Sequence, residues 1–172
     1  MRLLPAVLLA AASISYAQQP ADIPAQREAM KKLAFLVGKW AGEVFVFQGR
    51  DPPKKVLQTE EVQYKLNDLL LVVEGTGRSP STGEVVFNAF ATIAYDVETA
   101  SYRFRAYNDG RYLDTQLKVS ERGFEWGVKA DRASVRYVMR LNEKGEWVEI
   151  GEVTIGDNPP RKIIDMTVRR QK

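Results

Sequence analysis

Residues 36–44 read LVGKWAGEV. Trp40 stands two positions after Gly38, where a helical spacing of apolar residues gives way to alternation. A tryptophan needs a large pocket and a partner for its indole N–H. Its place at the head of the first alternating segment therefore marks one end of a layered core. Before Gly38, the stretch 25–37 (AQREAMKKLAFLV) carries Met30, Leu33, Leu36 and Val37 at helical spacing, and Gly38 is a stop signal. One short amphipathic helix is expected there. Beyond Gly38 the period is two.

The alternation continues to the end of the chain. Strands are expected at about 39–48 and 54–66, then in LLLVVEGTG, EVVFNAFATIAYD, SYRFRAYN, RYLDTQLKVS, FEWGV, ASVRYVMRLN, EWVEIGEVTIG and RKIIDMTVRR. Breakers separate them: GRDPP, ND, RSPSTG, VETA, NDG, ERG, KADR, NEKG and DNPP. The Asn-Asp-Gly at 108–110 tolerates the positive φ that tight hairpins require. Ten short strands at such spacing indicate a sandwich or a barrel. Alternation in nearly every strand favours a closed up-and-down antiparallel barrel, which leaves no open edge. The expected fold is all-β: about ten antiparallel strands in an up-and-down barrel, with a short N-terminal helix.

The first residues, MRLLPAVLLAAASISYAQQ, place one Arg before an apolar run, and Ser15 and Ala17 have the small-residue spacing of a cleavage site. The expected organisation is a signal peptide over 1–17, cut near Ala17–Gln18, a flexible lead-in over 18–24 and a barrel domain over 25–172. The apolar run is shorter than the roughly 20 residues a membrane span needs. The chain is therefore expected to be exported, to the bacterial periplasm or beyond.

Composition excludes much chemistry. With 25 Lys and Arg against 22 Asp and Glu the net charge is +3, and the basic residues are scattered, so no nucleic-acid footprint is read. There is no cysteine and no histidine. Thiolate catalysis, thiolate metal sites, the Ser-His-Asp triad and imidazole bases are thereby removed. No catalytic residue, metal site or cofactor is expected.

The Gly-x-Trp at the head of the first strand resembles the lipocalin and calycin signature. That resemblance implies that Trp40 sits at the closed end of the barrel, with an Arg of the last strand packed across the indole. The stretch LAFLVGKWAGE also resembles the opening of an uncharacterised bacterial exported family related to the nitrobindins, with its L-x-G-x-W-x-G-E segment. Tyr95-Asp96 followed by Thr99, and the final Met166, Thr167, Val168, Arg169 and Arg170, match further short motifs of that family. The alignment implies a structural set of Gly38, Trp40 and Arg170. Nitrobindin-type barrels hold haem through a histidine. This chain has none, so haem binding does not carry over.

Candidate cavity residues follow from strand phase. Tyr64, Tyr102, Phe104, Trp126 and Tyr137 lie mid-strand in apolar phases, as does Trp147. Glu60 shares a phase with Val56, Val62 and Tyr64, and Glu74 shares one with Leu70 and Val72, so both carboxylates can point inward; the alternatives are that the other phase faces the interior or that they form structural ion pairs. A buried carboxylate needs a partner; Arg105, Arg136 and Arg170 are the candidates. The function expected is an exported, non-catalytic barrel that binds a small apolar or amphipathic molecule. The alternatives are a side-chain-filled structural or interaction barrel, with Phe47, Tyr107 and Tyr112 as contacts, and an enzyme using Glu and Tyr as acid and base.

Overall fold

The computed structural model describes residues 22–172. The expected signal peptide, its cleavage site and the first part of the lead-in lie outside the described residues. Ten strands follow one helix. They are β1 (Gly38–Val46), β2 (Lys54–Lys65), β3 (Leu70–Arg78), β4 (Val85–Asp96), β5 (Ser101–Asn108), β6 (Arg111–Ser120), β7 (Gly123–Ala130), β8 (Ala133–Leu141), β9 (Trp147–Ile155) and β10 (Arg161–Arg170). Each strand pairs antiparallel with the next, and β10 returns to β1, so the sheet closes into an up-and-down barrel. Among the described residues no helix is long and apolar enough to cross a membrane.

The helical segment differs from the sequence expectation. Helix α1 covers Ile23–Lys31, and a separate 3-10 turn covers Ala34–Leu36. Asp22 caps α1 by accepting from the Ala25 backbone N–H at 3.0 Å, and Pro24 lies in the first turn. The break at Leu33 has a packing cause. Met30, Leu33 and Leu36 are spaced by three and all are fully buried. A continuous α-helix, at 3.6 residues per turn, would rotate this row off one face; tightening to a 3-10 turn keeps it together. The three side chains plug one end of the barrel.

That end is the closed one. Trp40 is 1% exposed, and its indole N–H donates to the Leu36 carbonyl at 2.8 Å. It meets the Trp147 ring edge-on, with centroids 5.8 Å apart. The Arg170 guanidinium lies over the Trp40 ring, 4.1 Å from its centroid. The same guanidinium donates to the Phe35 carbonyl at 2.7 Å and to the Val37 carbonyl. Gly38 makes this possible. Its φ is +131°, and a Cβ there would stand 2.5 Å from Arg170 Nη1. The opening Gly-x-Trp is thus one knot with the end of β10.

Two tyrosines tie the helix to the same end. The Tyr64 hydroxyl donates to the Met30 carbonyl at 2.6 Å and the Tyr102 hydroxyl to the Ala29 carbonyl at 2.7 Å. The same two carbonyls accept the backbone N–H groups of Leu33 and Lys32, so each tyrosine adds a second bond at the end of the helix.

The opposite end carries the β1–β2, β3–β4, β5–β6, β7–β8 and β9–β10 connections. Its rim is apolar and exposed, with Val85, Val86, Phe87, Tyr112 and Ile155 each at least 39% accessible. The two ends of the barrel therefore differ in kind.

Strand phase needs one correction. In β3 the inward row is Leu71, Val73, Gly75 and Gly77, so Glu74 faces outward and is exposed. Residues 69–73 are five apolar residues in succession, which leaves no alternation to read. The register of β2 decides instead. Glu60 pairs with Gly75, whereas Glu74 pairs with Glu61 on the outer surface.

Candidate functional site

Between the plugged end and the open rim the interior is not filled. One cavity of about 640 Å3 lies against β1, β2 and β10, lined by Val44, Val56, Gln58 and Met166 among others. A second, of about 520 Å3, lies against β3 to β8, lined by Ala89, Ala106, Phe104, Trp126 and Tyr137 among others. Glu60, Phe87 and Glu149 line both. The two volumes are lobes that meet at a pair of carboxyl groups.

Glu60 comes from the middle of β2 and is 9% exposed. Its Oε1 accepts from Gln58 Nε2 at 2.7 Å. Across the sheet stands Gly75, where a Cβ would be 2.8 Å from Glu60 Oε2. The missing side chain gives the carboxyl room to lie along the wall. Glu149 comes from β9 and is 8% exposed. Its Oε2 accepts from the Trp147 indole N–H at 3.0 Å. None of the ion pairs among the described residues includes either carboxyl. The arginines expected as partners are engaged elsewhere. Arg105 pairs with Asp114 at 2.5 Å, Arg136 with Glu125 at 2.7 Å, and Arg170 covers Trp40.

Unpaired burial sets the protonation of both groups. Loss of hydration pushes Glu60 up to about 7; the Gln58 hydrogen bond works against this, and the charge on Glu149 adds to it. Loss of hydration also pushes Glu149 up to about 7, against hydrogen bonds from the Trp147 and Trp126 indoles. Tyr137 is raised by burial and then by the Glu149 charge. The site therefore has acceptor oxygens, negative charge that appears near neutral pH, and no cation of its own.

The aromatic wall is built across neighbouring strands. Trp126 and Tyr137 are cross-strand partners, stacked with centroids 4.2 Å apart and planes 12° apart. Phe104 lies 4.9 Å from Trp126. All three rings line the same lobe as Glu149.

The seven cavity candidates read from the sequence therefore separate. Glu60, Phe104, Trp126 and Tyr137 are brought together around the cavity. Tyr64 and Tyr102 sit at the plugged end, on the helix carbonyls. Glu74 lies outside the barrel. Glu149 and Gln58 were not read from the sequence. Glu149 shares its phase with Trp147 and Gly151, whereas the apolar Val148 and Ile150 occupy the outward phase. The apolar alternation of β9 thus points the wrong way. The usable signal was Trp147, whose inward turn carries Glu149 with it. Among the described residues no group of three or more acidic side chains is arranged to hold a metal ion.

No family model matches the chain, and no curated protein matches it. Among solved structures it is similar to the crystal structure of Rv2717c from M. tuberculosis, with a TM-score of 0.62 and 12% sequence identity over 84% of this chain and 98% of that one. At this identity the likeness shows the barrel fold.

Proposed function

We propose that this chain is an exported β-barrel that binds a small apolar or amphipathic molecule in the interior described above, without catalysing a reaction on it. The observation that carries the reading is the open interior. Two lobes of about 640 and 520 Å3 meet at buried polar groups. Ligand sites have this form: roughly 300–1,000 Å3, mostly apolar walls and a few placed polar groups. A barrel of this size can equally be filled by its own side chains; interior positions held by Ala89, Ala91 and Ala106 favour the open alternative, because they withhold volume where large residues would fill it. Export rests on the sequence of residues 1–17.

The test is native mass spectrometry of protein recovered from a secreting host, together with a thermal-shift panel of apolar and amphipathic compounds. Expected are an amino terminus within a few residues of Gln18, a retained or added molecule at one per chain, and a melting temperature that rises with ligand concentration, as selective binding to the folded state demands. A panel with no shift, on protein whose barrel is intact, removes the proposal.

A further inference from the structure

The ligand class can be narrowed from the charge inside the barrel. We infer that the cavity selects an apolar chain or ring carrying a single ammonium group, held between Glu60 and Glu149 with its cationic end against the aromatic wall. This rests on the binding-barrel reading and specifies its ligand.

The geometry carries it in three steps. First, each side chain is more than nine-tenths buried, yet Glu60 accepts within the protein only from Gln58, on Oε1, and Glu149 only from the indoles of Trp147 and Trp126. Among the described residues every fully occluded side-chain polar atom has a partner. The unpartnered oxygen of Glu60 therefore opens onto the cavity, and Glu149 lines both of its lobes. The Tyr137 hydroxyl, on the same wall, also makes no hydrogen bond to the described residues.

Second, no positive charge stands opposite them. Around Glu60 the register partners are Trp40 on β1 and Gly75 on β3; around Glu149 they are Met139 on β8 and Met166 on β10. The titratable neighbours are each other and Tyr137. The cations of the lining, Lys54, Lys55 and Arg111, belong to the rim ends of their strands, and Lys55 is already paired with Glu43 at 2.6 Å. A carboxylate head group reaching the middle of the barrel would meet like charge there, whereas an ammonium would meet two acceptors.

Third, the stacked Trp126 and Tyr137 and the adjacent Phe104 line the same lobe as both carboxyls. Ring faces attract cations, most strongly where water is excluded. An ammonium also changes the proton balance. Entering as the cation, it favours ionised carboxyls, so protons held by the pair near neutral pH are released to solvent.

The experiment compares three probes of equal chain length, decylamine, decanol and decanoate, by titration calorimetry near neutral pH. Each is measured in two buffers of different ionisation enthalpy. Decylamine is expected to bind at least about tenfold more tightly than decanol, as a charge-assisted hydrogen bond allows, with decanoate weakest. Decylamine, but not decanol, is expected to release up to about one proton per chain. In the double variant Glu60→Gln, Glu149→Gln the ratio of decylamine to decanol affinity is expected to fall to about one and the proton release to be lost. The proton count is read on the native protein and stands even if that variant does not fold. Decanol or decanoate binding as tightly as decylamine, or amine binding without proton release, overturns the inference and leaves the binding-barrel reading in place. If none of the three binds to the folded barrel, both readings fall.

Discussion

Replacing the buried carboxyls by their amides is expected to stabilise the protein, and only above acidic pH. Glu60 and Glu149 each move from 4.5 in the unfolded chain to about 7 in the folded one. Between those values the folded state holds protons that the unfolded state has released. Stability therefore falls as pH rises through this window and is level above it. At about 1.4 kcal/mol per pH unit, each carboxyl costs about 3 kcal/mol once fully ionised. Both side chains are more than nine-tenths buried, so solvent screening removes little of this.

Glutamine keeps the shape and the acceptor oxygen that Gln58 and Trp147 use, and it carries no charge. The measurement is urea unfolding of the native chain, Glu60→Gln and Glu149→Gln, at about pH 4 and about pH 8. Each variant is expected to gain up to about 3 kcal/mol over the native chain at the higher pH and to lie within about 1 kcal/mol of it at the lower. The half-buried carboxylates held low by their partners, Asp96, Glu125 and Glu146, also change stability with pH. They are common to all the chains and cancel in the difference. Because the Glu149 charge raises Glu60, the double variant is expected to gain less than the two single gains combined. A gain that is the same at both pH values, or a loss at the higher one, would refute the unpaired-burial argument.

Three further outcomes check the closed end. Trp40→Ala is expected to cost about 3–5 kcal/mol in chemical denaturation, Arg170→Ala about 1–2 kcal/mol, and the double variant less than both together, since ring and guanidinium stack; strict additivity would separate them. Gly38→Ala is expected to cost about 1–3 kcal/mol, because alanine must adopt a positive φ and its Cβ displaces the Arg170 guanidinium; a neutral result would mean that this corner re-forms without the stack. Tyr64→Phe and Tyr102→Phe are each expected to cost about 1 kcal/mol, the loss of one bond to the helix, and to leave probe binding in the cavity unchanged. Weakened probe binding in either would place these rings in the site rather than in the plug.

Most of the barrel was legible in the sequence because turns punctuate it. Asn108-Asp109-Gly110 and the Pro-rich breaks leave few ways to assign the strands. Glu60 was legible as one charged residue in an otherwise apolar phase. Three features were not legible, each for a physical reason. The helix was read as continuous because Met30, Leu33 and Leu36 fit a helical stripe as well as they fit a tighter turn; only the fit into the barrel end distinguishes the two. The phase of β3 was hidden by five consecutive apolar residues and is fixed by pairing with β2. Tyr64 and Tyr102 do face inward, but strand phase gives direction and not height. Their height is set by the register of neighbouring strands and by where α1 docks, and both are properties of the closed barrel.

The same division bears on why the carboxyls are there at all. At the plugged end each large group has its contact: Trp40 has Leu36, Trp147 and Arg170, and the tyrosines have the helix carbonyls. Immediately beside it, where Glu60 pairs with Trp40 and Glu149 accepts from Trp147, two carboxyls sit in a low-dielectric interior without a cation, next to volume that small residues leave open. Each feature weakens the fold by itself. Unpaired charge costs desolvation, and unfilled space forfeits dispersion contacts. Apolar residues of similar size at 60 and 149 would relieve the first, and larger side chains at 89, 91 or 106 the second. A core selected for stability alone would have both repairs. A cationic amphiphile supplies both at once, its chain filling the lobes and its ammonium pairing the carboxyls. The cost then lies only on the empty barrel, and filling it is what makes binding favourable.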